Sequence, residues 1–206
     1  MKEPQLVDKI LSKEDYDRLK AALVNPKSFG FDPGFSRYCI GDGGLPILKE
    51  LADKLVPIAR KAFDSEELLP TYTLFAHYEG QNPEPSLYKH KDDNACTYTL
   101  DMCVYQVDPW DIYVDNKAYT LYPNQALAYY GNDQPHWREK FPNPETNHVA
   151  MIFFHFAEPD HWFFTKGPDY LRVIRGNITE EKWKEKFSLG RQPALGAERQ
   201  DCKNKA

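Results

Sequence analysis

The sequence predicts a mainly β fold, an antiparallel sandwich or barrel with helices padding its outer face. Three observations predict it. Six runs rich in β-branched and aromatic residues follow one another at 71–78, 96–107, 110–114, 118–122, 126–130 and 148–156. Turn residues separate them (Gly80-Gln81-Asn82-Pro83, Asp115-Asn116, Pro123-Asn124 and Gly131-Asn132-Asp133), and no helical period intervenes, which argues against a βαβ sheet. The 206 residues are 41% hydrophobic and 14% aromatic, enough to fill one sizeable core and too much for a disordered chain.

The elements before Pro70 read as helical. Ser12 caps a helix with Asp15 at its third position, a capping-box-like start. Tyr16, Leu19 and Leu23 recur at helical spacing, and Asn25-Pro26 ends the segment. Residues 36–40 form a short strand. A second helix starts after Gly43-Gly44 with Pro46 in its first turn. Leu48, Leu51, Leu55, Ile58 and Ala62 give it one apolar stripe, and Pro57 inside that stripe is expected to kink it or end it early. Neither helix can bury its stripe alone, so both are expected to pack on the sheet. After the strands, residues 179–186 read as a short charged helix. Glu180-Glu181 beside Lys182, Lys184 and Lys186 would form its solvated face. The tail from Gln192 is polar and without period. The expectation is one domain over 1–206: a helical layer at about 8–65, a β core at about 70–165 and a C-terminal helix and tail at about 176–206.

Charge narrows the function classes. Lys+Arg 26 against Asp+Glu 31 gives net −5, which disfavours a generic electrostatic grip on nucleic acid. No apolar run approaches the roughly 20 residues that span a bilayer, and residues 1–6 lack a basic-then-apolar leader. Cys39, Cys96, Cys103 and Cys202 show no CxxC spacing, so reduced thiols in a cytosol are expected.

The six histidines carry the chemistry. In His90-Lys91-Asp92 an extended backbone projects the imidazole and the carboxylate to one side, onto adjacent positions of one metal ion. Asp93 has the wrong parity. His136 lies just past the strand at 126–130, and a sheet that folds back brings it beside them. Two imidazoles and one carboxylate on one face of an octahedron leave three positions open, the facial triad of non-haem iron oxygenases. An isolated HxD is weak. His77, His155 and His161 read as hydrogen-bonded structural residues, and the odd separation of His148 and His155 points them to opposite faces of a strand.

In order along the chain stand Tyr78-Glu79-Gly80, then Tyr88-Lys89-His90-Lys91-Asp92, then Pro123-Asn124-Gln125-Ala126-Leu127-Ala128-Tyr129-Tyr130, then His136. This succession resembles the Fe(II)- and 2-oxoglutarate-dependent dioxygenases, closest to their prolyl-hydroxylase-like branch, over residues 71–156. The resemblance implies a double-stranded β-helix (jelly-roll, cupin-like) core with helices against one sheet. It implies Fe(II) on His90, Asp92 and His136, chelated by 2-oxoglutarate and completed by dioxygen. The implied outcome is hydroxylation of a small molecule, an amino acid or a protein side chain, with release of succinate and carbon dioxide.

The family normally places an Arg or Lys at the start of the strand after the distal histidine, to grip the far carboxylate of 2-oxoglutarate. Here that strand opens with Asn147-His148-Val149. Arg138 is the first candidate for the grip and His148 the second, while Arg138 as a surface arginine paired with Glu139 or Glu145 stands beside them. Tyr78 matches the family tyrosine whose hydroxyl helps hold that carboxylate. Trp137 would line a substrate pocket or pack in the core, and residues 82–87 would form a lid or a solvated loop. An iron oxygenase that does not use 2-oxoglutarate, and a non-catalytic metal-binding jelly roll, are the rival readings.

Overall fold

A computed structural model describes residues 3–80 and 84–164. The helix expected at 179–186 and the tail after it lie outside the described residues, as do Gln81-Asn82-Pro83. In chain order the elements are β1 (Gln5–Val7), α1 (Lys13–Ala22), β2 (Gly30–Asp32), β3 (Arg37–Gly41), α2 (Pro46–Phe63), β4 (Leu69–Glu79), β5 (Leu87–His90), β6 (Tyr98–Gln106), β7 (Ile112–Val114), β8 (Lys117–Tyr119), β9 (Ala126–Tyr129), β10 (His136–Arg138) and β11 (His148–Ala157). Two antiparallel sheets result, one ordered β1-β9-β6-β11-β4-β3-β2 and the other β5-β10-β7-β8. They face each other as the two halves of a jelly roll.

The helices form where expected. Ser12 Oγ accepts from the Asp15 amide at 3.1 Å, and Pro46 opens α2, where its missing N–H removes no helical bond. α2 runs through Pro57 instead of ending there. Pro57 and Asp53, whose carbonyl loses its partner, are both exposed, so water takes the orphaned acceptor. The buried stripe is Leu48, Leu51, Ala52, Leu55, Ala59 and Phe63. Ile58 and Ala62 fall at its half-buried edge, because the helix leans on its Ala52–Ala59 side.

Both faces of the central strands are buried, by two separate cores. On β6, Leu100, Met102 and Val104 point to the helices, joining Leu19, Leu51, Leu55, Phe75, Ile152 and Phe154. Asp101 and Cys103 alternate to the other side. There Tyr78, Ile112, Val114, Leu127, Tyr129 and Met151 fill the space between the sheets. Each fully buried Leu or Phe contributes about 1.5–3 kcal/mol relative to exposure, so the helical layer stabilises the sheet that carries the roll.

The strand expected from Cys96 begins only at Tyr98, because Asn94–Cys96 form a 3-10 turn capped by Asp93, whose Oδ1 accepts from the Ala95 amide at 2.9 Å. β1, β2, β5 and β10 are additional to the expected strands. Among the described residues Cys39, Cys96 and Cys103 are free thiols, and no helix is long and apolar enough to cross a membrane.

Candidate metal centre

β5 and β10 pair so that His90 and His136 stand directly opposite each other, with ring centroids 4.3 Å apart. β5 ends at His90, and Asp92 lies just beyond it. The Asp92 amide donates to the Gly131 carbonyl at 2.8 Å, which fastens the carboxylate to the turn leading into β10. Oδ1 of Asp92 is 3.5 Å from Nε2 of both His90 and His136. The three donors expected from sequence therefore meet at one point.

The rings are oriented by their other nitrogens. His90 Nδ1 donates to the Tyr88 carbonyl at 2.7 Å, and His136 Nδ1 donates to the Gln134 carbonyl at 3.0 Å. A carbonyl only accepts, so Nδ1 carries the proton in each ring and Nε2 presents its lone pair beside Asp92, the arrangement that fixes a metal-binding tautomer. Burial resists ionisation of Asp92, but His136, by charge and hydrogen bond, and His90 outweigh it and hold the carboxyl well below its usual range. Burial likewise works against a charge on His136, and Asp92 overcomes it, raising the imidazole. An anionic ligand and two imidazoles, one nearly sealed and one half-buried, fit a divalent cation.

Arg138 enters the same interior two residues after His136, but its guanidinium is committed. Nη2 donates to Asp101 Oδ2 at 3.0 Å, Nη1 donates to the Trp110 carbonyl, and both partners of the ion pair are buried. It is thus neither a surface arginine nor paired with Glu139 or Glu145. Burial, with Arg138 working against it, raises the Asp101 carboxyl.

Tyr78 is sealed inside the roll. Its hydroxyl accepts from Arg37 Nη1 at 3.2 Å. Arg37 and Tyr78 lie just beyond the Tyr38–His77 end of the β3–β4 pairing, and Arg37 is steadied by Asp32 at 3.3 Å. The guanidinium lies 4.5 Å over the Phe35 ring, which stacks on Tyr88 and approaches His90. Arg37 is the residue that sequence reading missed. Its one local sign was a place in a predicted strand, since the partner Tyr78 is a cross-strand neighbour.

The remaining candidates lie elsewhere. His148 is exposed at the start of β11 and meets His77 and Tyr105 on the sheet's other face. His77 is buried and bonded to Tyr105 and Glu79. Trp137 is half-buried, outside both hydrophobic cores. It stacks at 13° on Tyr113, its neighbour in the β10–β7 register, with Lys89 over its ring. His155 points into the roll, its Nδ1 3.2 Å from Thr99 Oγ1, and burial pushes its imidazole down to about 4.

Neither a family model nor a curated protein matches the chain. Solved structures do. SnoN, a non-heme α-ketoglutarate-dependent epimerase from nogalamycin biosynthesis, is 9% identical with TM-score 0.60 over 75% of this chain and 78% of its own. HygX from Streptomyces hygroscopicus, with nickel and 2-oxoglutarate bound, is 11% identical with TM-score 0.58 over 76% and 83%. The viral collagen prolyl hydroxylase vCPH from Paramecium Bursaria Chlorella virus-1, in its 2-oxoglutarate complex, is 11% identical with TM-score 0.52 over 76% and 97%. The likeness is one of fold, and the jelly roll expected from the sequence is the fold observed.

Proposed function

We propose that the chain is an Fe(II)- and 2-oxoglutarate-dependent oxygenase that hydroxylates an unactivated C–H bond of a small molecule or side chain, with release of succinate and carbon dioxide. The observation that carries the reading is the convergence of His90, Asp92 and His136 at 3.5 Å, inside a fold shared with proteins that bind nickel or 2-oxoglutarate. Iron bound there would supply the activation of dioxygen.

The chain's own residues do the rest. His90, Asp92 and His136 would hold the ion through three donors, leaving room on it for co-substrate and dioxygen. The carbonyls of Tyr88 and Gln134 keep the rings aimed. Tyr129, 4.9 Å from the His136 ring, and Leu127 and Met151 line the interior and keep water from the reacting face. For the far carboxylate of 2-oxoglutarate, Arg37 and Tyr78 offer a planar cation beside a hydroxyl. Arg138 is less suited, because both of its terminal nitrogens are taken, by Asp101 and the Trp110 carbonyl, in a sealed pair, whereas Arg37 bonds Tyr78 itself; His148 faces away from the roll.

The test is formation of succinate from 2-oxoglutarate by iron-loaded protein in air, with candidate substrates and without. Iron-dependent turnover that falls at least about tenfold in His90→Ala and Asp92→Ala is the expected result. No consumption of 2-oxoglutarate with any substrate, together with unchanged metal affinity in His136→Ala, would refute the reading.

A further inference from the structure

Asp92 has two sets of neighbours, and only one of them is His90 and His136. Cys96 and His155 each bring a ligand atom within 4.8 Å of an Asp92 carboxylate oxygen and of each other. Both are buried. Oδ1 is the oxygen at 3.5 Å from the ring nitrogens of His90 and His136. Oδ2 lies on the side of the Cys96 segment: a Cβ at Gly131 would be 2.5 Å from Oδ2, 2.6 Å from the Cys96 carbonyl and 2.6 Å from Thr99 Oγ1.

Each member of this second set is held as a ligand is held. Thr99 Oγ1 meets His155 Nδ1 at 3.2 Å, as backbone carbonyls meet the same nitrogen in His90 and His136. The Tyr72 hydroxyl lies 3.0 Å from Cys96 Sγ and can donate to a thiolate there. The 3-10 turn Asn94–Cys96, capped by Asp93, fixes the backbone that carries the thiol.

We infer that Asp92, Cys96 and His155 form a second metal-binding set, suited to a thiophilic d10 cation such as zinc or cadmium. The donors decide the class: thiolate, imidazole and carboxylate are the ligands of zinc sites, and the sulfur adds a preference for soft ions that His90 and His136 do not share. Binding transfers the thiol proton to solvent as the Sγ–metal bond forms, with no change of oxidation state. One carboxylate and one thiolate cannot neutralise two buried dications, so the two sets are alternatives that share Asp92. The second set does not depend on any use of 2-oxoglutarate.

The test uses the full chain and cadmium as probe, followed by the ultraviolet thiolate-to-cadmium charge-transfer absorption. The band is expected to rise to one equivalent in the unaltered protein and in His90→Ala, and to be lost in Cys96→Ser and in His155→Gln, both checked for an unchanged melting profile. Absence of the band in the unaltered protein overturns the inference, even if either variant fails to fold. So does a band that survives Cys96→Ser, which would assign it to another cysteine. If manganese fails to bind through His90 and His136 while the cadmium band appears and follows Cys96, the iron reading fails and this one stands.

Discussion

Asp101 and Arg138 form an ion pair with side chains 0% and 1% exposed, and neither is fully satisfied. Asp101 Oδ1 and Arg138 Nε are both buried without a hydrogen-bond partner. Removing one member leaves the other charge buried and uncompensated. Asp101→Asn or Arg138→Met alone is therefore expected to cost about 3–5 kcal/mol, and the double variant less than the sum of the two. Urea denaturation of the four proteins measures it, and additive single losses would contradict the pairing. His155 makes stability depend on pH. An unfolded chain protonates this ring near 6.5, whereas the folded ring resists down to about 4. Between those values the unfolded state binds more protons, so this contribution is complete above pH 6.5 and is lost as pH falls toward about 4. The amount at stake is of the order of 3 kcal/mol. In metal-free protein with a chelator, His155→Gln is expected to flatten the fall in unfolding free energy across that window. An unchanged slope would show that the ring is not the cause. At this scale His90, Asp92 and His136 were legible because two share a local motif and the third stands in a recognisable order. Arg37 beside Tyr78, and Cys96 beside His155, were not, because their neighbours are set by strand register and not by spacing along the chain.

α2 shows what local rules predict and what packing decides. Its start at Pro46 follows from composition, but its length does not, since a proline inside a helix costs about 3 kcal/mol relative to alanine. Burial of Leu48, Leu51, Leu55 and Phe63 against the sheet outweighs that cost. Pro57 is exposed, so alanine there restores the bond to the Asp53 carbonyl without disturbing the core. Pro57→Ala is expected to stabilise the protein by about 2 kcal/mol after the greater entropy of the unfolded chain is subtracted. The midpoint of urea denaturation reads it, and a lower midpoint would mean that the proline serves the native backbone. β5 and β10 carry the opposite lesson. They are four and three residues long, too short for a periodic pattern to mark as strands, yet their pairing places His90 opposite His136. The order of motifs pointed to the candidate ligands, while the short strands that carry them gave no local signal.

The larger sheet is covered by helices on one face and closes the roll with the other. That is why β6 and β11 are mainly apolar and why their single buried acid, Asp101, and single buried imidazole, His155, belong to the interior. The alternation of turns and strands argued for an antiparallel sandwich or barrel, and the order of motifs, by its resemblance, narrowed that to a jelly roll. The side of each strand that faces the metal centre depended on long-range pairing. On the proposed function, a cation on His90, Asp92 and His136 would create the binding site for 2-oxoglutarate, with Arg37 and Tyr78 at its far end. Calorimetric titration of 2-oxoglutarate into the anaerobic Fe(II)-loaded protein tests this most directly, since it needs no knowledge of the substrate. One equivalent is expected to bind only when iron is present, with binding abolished in Asp92→Ala and affinity weakened about tenfold or more in Arg37→Met. No heat of binding up to millimolar 2-oxoglutarate, or binding indifferent to iron and to Asp92, would contradict it.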